Sequence, residues 1–269
     1  MPKLKDKVEL IIRSMLFNNE LEAGDTLSDF ALSRQLGVSR TPVRQAIQQL
    51  VRNGLVEYRS GTGYFVRLPS RKEIEELYDL RDLLESYAAS KAATEANAQM
   101  IERIERICKK VLNVLKTMRD APDKSRDSDY GRTLISADME FHRMVVEASG
   151  SNRTSLFSTI GELSLIVASL GHIWKEKDRD YWKTAVNSFK GHLRIFKAIK
   201  NHDSEAAKQA MHDHLSKGKD SAIRVYNQRH AELLNRINSI SKIAVSKLEQ
   251  KRKDDAFSKW DELEKVISR

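Results

Sequence analysis

The chain has 269 residues, with 47 Lys and Arg against 38 Asp and Glu and a formal charge of +9, which leaves room for two domains with a core each. A 40% apolar content excludes wholesale disorder, and eleven glycines and four prolines are too few for a turn-rich β-sandwich. The single Cys108 excludes an intramolecular disulfide framework and a four-cysteine zinc site; no run of 18 apolar residues predicts a membrane span, and the charged start of the chain lacks the apolar centre of a signal peptide, so a cytoplasmic protein is expected.

Val8, Ile11, Ile12, Met15 and Leu16 recur at helical spacing and predict a first helix. Ser28 precedes a second helix, which runs to Leu36 and stops at Gly37. Ser39 caps a third, with Val43, Ile47 and Leu50 along one face and Gly54 where it should end. Gly37-Val38-Ser39 is then the tight turn of a helix-turn-helix. Leu55 to Arg59 and Tyr64 to Arg67 alternate at strand period around Ser60-Gly61-Thr62-Gly63, which predicts a hairpin. Three helices plus a β-hairpin make an N-terminal winged helix-turn-helix over 1–68, ended by Leu68-Pro69-Ser70.

Beyond it the pattern is helical throughout. Helices are expected over 71–97, 99–119, 130–149, 152–172, 180–201 and 203–227, with breaks at Asp120-Ala121-Pro122-Asp123 and Gly150-Ser151-Asn152. Short connections favour an all-α antiparallel helical bundle over 71–228. Residues 229–269 read as a helical C-terminal extension of unassigned role, with Leu233, Ile237, Ile240, Ala244 and Leu248 on one side. The fold class is mainly α.

The third helix begins Ser39-Arg40-Thr41-Pro42-Val43-Arg44, within a stretch (34–59) that holds five Arg and one Glu. Arg40 and Arg44 stand one turn apart, and a guanidinium fork matches guanine O6 and N7 in the major groove. Ser39, Thr41 and the free N–H groups of the helix start suit phosphate. A wing tip of Gly61-Thr62-Gly63 lets the backbone approach DNA closely. The same residues would also suit a merely solvated basic helix.

In the bundle, four polar residues occupy positions where helical periodicity calls for apolar ones. Asp138 and His142 are one turn apart on the face that holds Ile135 and Val145. His192 lies with Phe189, Phe196 and Ile199, and His214 continues the stripe of Ala207, Met211 and Gly218. Three imidazoles and a carboxylate from three helices can converge on a divalent metal; imidazole suits Zn, Ni, Fe or Cu, and the carboxylate admits Mn. Hydrogen-bonded core histidines are the competing reading. A metalloenzyme would need more: no HExxH-type motif or additional general base stands beside these residues.

The run Leu36-Gly37-Val38-Ser39-Arg40-Thr41-Pro42-Val43-Arg44-Gln45-Ala46-Ile47, then Gly54-Leu55-Val56 and Gly61-Thr62-Gly63-Tyr64-Phe65-Val66, resembles the signature of GntR-family transcription regulators. Ser33, Gln45 and Ile47 depart from the usual Ala, Glu and Leu, without touching a residue assigned to DNA. The resemblance implies Ser39, Arg40, Thr41 and Arg44 as DNA contacts beside the wing glycines. Asp138 to His142, Gly150-Ser151-Asn152, His192 to Ile199 and Met211 to Leu215 are similar to the FCD ligand-binding domain of the FadR-type branch, and Arg81 to Glu85 followed by Ala88-Ala89 matches that domain's first helix. Carried over residue by residue, the branch's metal ligands fall on Asp138, His142, His192 and His214, and six helices before the extension suggest its VanR-like subgroup. The resemblance further implies a homodimeric repressor on a pseudo-palindromic operator, not an enzyme, controlled by a small carboxylate effector. Arg81 suits that carboxylate, or else is the structural partner of a helix acid.

Overall fold

In the computed structural model, which describes residues 3–17, 20–21, 23–120, 128–150, 181–228 and 230–231, helix α1 spans Leu4–Phe17 and buries Val8, Ile12, Met15 and Leu16. Ile11, expected on the same stripe, lies on its flank and is exposed. Strand β1 (Thr26–Leu27) leads into α2 (Asp29–Leu36), where the Ser28 hydroxyl accepts the N–H of Ala31 at 3.2 Å. Gly37 ends α2 in the left-handed region at φ 65°, with its N–H returned to Arg34 and that of Val38 to Ser33. A side chain is disfavoured in that conformation, so glycine permits the abrupt exit into α3 (Arg40–Arg52).

Helix α3 packs on α1 and α2 through Val43, Ala46, Ile47 and Leu50, all buried. Burying Val43, Ile47 and Leu50 contributes about 1.5–3 kcal/mol each, and the single methyl of Ala46 less. Strands β2 (Val56–Arg59) and β3 (Gly63–Val66) form the wing, registered Val56 to Val66 and Arg59 to Gly63. The two-residue β1 pairs with β3, Thr26 against Phe65, so the sheet has three strands in the order β1-β3-β2 rather than a bare hairpin. A strand that short has no period to read.

The first bundle helix, α4 (Arg71–Glu95), starts with a capping box: the Glu73 N–H donates to the Ser70 hydroxyl and the Ser70 N–H to the Glu73 carboxylate, at 3.2 and 2.7 Å. Arg67 fastens this start to the winged helix, donating to the Gly54 carbonyl at 2.6 Å and pairing with Glu73. Helix α5 (Ala98–Asp120) follows, then α6 (Ser128–Ala148) and α7 (Tyr181–Lys200), and α6 and α7 each pack against both α4 and α5. A helix α8 covers 204–228 and adds Ala207, Met211 and Leu215 to the shared core. Between α7 and α8 the chain turns at His202, whose φ is 57° and whose ring bonds the Ala93 carbonyl at 2.9 Å, while the Asp203 carboxylate accepts the N–H of Ala206. The expected helix at 152–172 and the extension beyond 231 lie outside the described residues.

Candidate DNA-reading face and metal centre

At the start of α3, Ser39 holds the N-cap position, but its hydroxyl makes no capping bond. Arg40, Thr41 and Arg44 follow on the exposed side. Both arginines converge on one acid: Arg40 Nη2 donates to Asp29 Oδ1 at 2.9 Å, and Arg44 donates Nε and Nη2 to Asp29 Oδ2 at 3.1 and 2.8 Å. Burial alone would raise the Asp29 pKa, yet the hydrogen bonds from Arg44 and Arg40 hold it below its usual value. The wing tip is built by Gly61 (φ 75°), the exposed Thr62 and Gly63 (φ 110°), with the Thr62 N–H donating to the Arg59 carbonyl. Nothing in the sequence marks Asp29 as part of this face. Its only signal was an acid opening α2, a common position.

Inside the bundle, α6 supplies Asp138 and His142, α7 His192 and α8 His214. One ligand atom from each lies within 4.8 Å of the others. His142 Nε2 stands 3.2 Å from His214 Nε2, and His192 Nε2 stands 3.3 Å from Asp138 Oδ1. The Asp138 contact has ion-pair reach without hydrogen-bond direction, and His192 Nε2 is a buried polar atom with no hydrogen-bond partner. Phe141 stacks on the His192 ring at 4.2 Å, and Ser188 donates to Asp138 at 3.3 Å.

Burial, then repulsion by His142, pushes His192 well below the usual histidine value, with Glu85 partly opposing. Burial, then His192 and His142, does the same to His214. Both rings are therefore neutral near pH 7 and offer lone pairs.

Glu85 on α4 completes the arrangement. Fully buried, it accepts the Nε–H of Arg81 at 2.7 Å and meets His142 Nδ1 through its other oxygen. Burial disfavours its charge, but Arg81 and His142 outweigh it and hold the carboxyl well below the usual carboxylate range. An ionised carboxylate only accepts, so the Nδ1 of His142 donates and its Nε2 faces the cluster. That is the carboxylate–histidine arrangement that orients a metal-binding ring. Arg81 is buried beneath Tyr78, 5.3 Å from the ring centroid, and reaches the cluster through Glu85. The inward pair Arg81/Glu85, spaced like Asp138/His142, was a readable signal for Glu85.

Gly191 is a second residue that only the structure discloses. A Cβ there would lie 2.5 Å from Nδ1 and 3.2 Å from Cγ of His214, so this glycine makes room for that ring.

The cluster fits a divalent ion. Nitrogens bound at about 2.0–2.1 Å to one ion sit about 2.8–3.4 Å apart at right-angled to tetrahedral geometry, which brackets the His142–His214 separation. The unpartnered His192 nitrogen lacks what such an ion would supply.

The sequence profile of the bacterial regulatory proteins of the gntR family matches residues 4–66, and that of the FCD domain matches residues 76–217. An uncharacterized HTH-type transcriptional regulator of Bacillus subtilis, YdhC, is 23% identical over 76% of this chain and 84% of its own. The HTH-type transcriptional repressor NanR of an Enterobacter species is 26% identical over 80% of this chain and 83% of its own. Among solved structures, E. coli McbR/YncC shares the fold at a TM-score of 0.69 with 19% identity, covering 86% of this chain and all of that one. No helix among the described residues is long and apolar enough to cross a membrane. The chain therefore belongs to the GntR family of bacterial regulatory proteins, with an architecture consistent with its FadR-type branch: a DNA-binding transcription regulator with an FCD ligand-binding domain, and not an enzyme.

Proposed function

We propose that this regulator is a cytoplasmic, homodimeric repressor of VanR-like type, released from a pseudo-palindromic operator by a small carboxylate that binds beside a divalent metal. Residues 1–68 bind DNA, 71–228 bind metal and effector, and 229–269 are a C-terminal extension to which no role is assigned. Ser39, Arg40, Thr41 and Arg44 with Gly61, Thr62 and Gly63 carry the DNA contacts, and Asp138, His142, His192 and His214 hold a metal of the Zn, Ni or Mn class.

The observation that carries this reading is the unpartnered His192 nitrogen within a converging set of four donors. A bound divalent ion would supply positive charge that takes a carboxylate oxygen. Arg81 spends one N–H on Glu85 and offers its others to the same carboxylate. With the three imidazoles neutral, as metal binding requires, Asp138, Glu85 and Arg81 sum to one negative charge, so a bound divalent ion makes the site net positive and suits an anion.

The dimer is supported by an apolar row on the outer side of α4, where Leu80, Leu83 and Tyr87 are 39, 73 and 65% exposed. Helix α4 also runs from the Arg67–Glu73 contact at the winged helix to the Arg81–Glu85 pair at the cluster. A displacement of α4 by the effector thus reaches the DNA-reading domain, and a coupling of about 1–3 kcal/mol changes operator affinity ~5–150-fold.

The test is operator binding by metal-loaded and chelator-treated protein titrated with a panel of small mono- and dicarboxylates. A carboxylate that weakens operator binding only in the loaded protein is expected. Operator affinity indifferent to every carboxylate and to chelation would refute the proposal.

A further inference from the structure

We infer that Asp29 is a specificity-determining residue of the DNA-reading face, holding Arg40 and Arg44 ready for base edges while keeping them off bare phosphate. The inference rests on the assignment of those two arginines as readers. Asp29 sits at the start of α2 with its side chain only 14% exposed, while the arginines it binds are 55 and 54% exposed. Each of its oxygens serves a different guanidinium. Of five N–H donors on each arginine, the contacts take one from Arg40 and two from Arg44. The remaining donors stay available for a base.

Two consequences follow from this placement. First, two long side chains, each with much rotamer freedom to lose, are ordered before DNA arrives, which lowers the cost of a bidentate base contact. Second, the pair presents one net positive charge instead of two. Phosphate must compete with a fixed carboxylate for the same guanidinium edges, whereas a guanine presenting O6 and N7 to the other edges does not. The acid thus penalises sequence-independent binding, which depends on phosphate neutralisation, more than it penalises readout.

The experiment uses the full chain and two probes: the duplex that wild-type protein enriches most strongly from a random-sequence library, and a random duplex of equal length. Asp29→Asn keeps the size and one acceptor but removes the charge. One further phosphate neutralised corresponds to a slope of about −0.9 in log affinity against log salt, or roughly fivefold in affinity at 0.15 M salt. The variant is therefore expected to bind the random duplex about fivefold more tightly, with a salt dependence steeper by about one. Its preference for the enriched duplex should fall at least ~10-fold as the arginines lose their shared anchor. Asp29→Glu should restore much of the preference. A merely structural role would weaken both probes together and leave the salt slope unchanged, and that result would overturn the inference, as would an unchanged preference in Asp29→Asn. An Arg40→Ala/Arg44→Ala variant that still selects the enriched duplex would instead remove the assignment of the readers.

Discussion

Replacing Glu85 by Gln tests whether the buried acid organises the cluster. Glutamine fills the same volume but cannot accept from both Arg81 and His142 as an anion, and its NH₂ can turn toward His142 Nδ1. His142 would then lose the partner that fixes its proton on Nδ1 and aims Nε2 at the other three ligands. Loss of such an orienting partner typically lowers metal affinity 10–100-fold, about 1.4–2.7 kcal/mol. Stability should fall as well, since Arg81 is left buried without its counter-ion; breaking a buried pair costs about 3–5 kcal/mol, and Gln recovers part of that through its carbonyl. Competition titration of Zn or Ni against a chromophoric chelator measures the affinity, and urea unfolding of the chelator-treated protein measures the stability. The two should fall together in Glu85→Gln, with Glu85→Ala worse in both. Wild-type metal affinity in Glu85→Gln would refute the reasoning.

Arg40→Ala and Arg44→Ala should each weaken binding to the enriched duplex by about 1–3 kcal/mol, read by fluorescence anisotropy. Gly191→Ala should lower metal affinity by displacing the His214 ring, yet add almost nothing in a His214→Ala background, where the ring is gone; additive effects in that double-mutant cycle would contradict the close-approach account. Leu50→Ala, in the winged-helix core, should cost about 2–5 kcal/mol in chemical unfolding. Chelator-treated protein should lose stability as pH falls below about 6.5. His192 and His214 are held neutral in the fold, so the unfolded chain takes up their protons first, at up to about 1.4 kcal/mol per pH unit for each ring. Urea midpoints that stay flat from pH 7.5 to 5.5 would rule this out.

Much of this architecture was legible because local rules agreed with one another. Ser28, Gly37, Ser70 and the alternation of Leu55 to Arg59 mark their boundaries through capping and period, and the structure places helix and strand ends within a few residues of them. Strand β1 is not legible in the sequence because its existence depends on β3 rather than on its own two residues. At the cluster, inward polar residues on apolar stripes gave Asp138, His142, His192 and His214, but convergence is a tertiary property that spacing does not contain. Glu85 shares its helix with other acids; its spacing from Arg81 is legible in the sequence, but its complete burial between Arg81 and His142 is a tertiary fact. Gly191 and Asp29 were invisible for a similar reason: each acts on a side chain of another helix.

Metal content decides the central claim most directly. Protein purified without chelators or an affinity metal, then offered Zn, Ni and Mn and desalted, should carry about one divalent ion per chain by elemental analysis, and the His192→Ala/His214→Ala variant should carry almost none while keeping its helical content. A wild-type chain that retains no ion, or a double variant that retains a full one, would contradict the account and return these residues to ordinary core histidines.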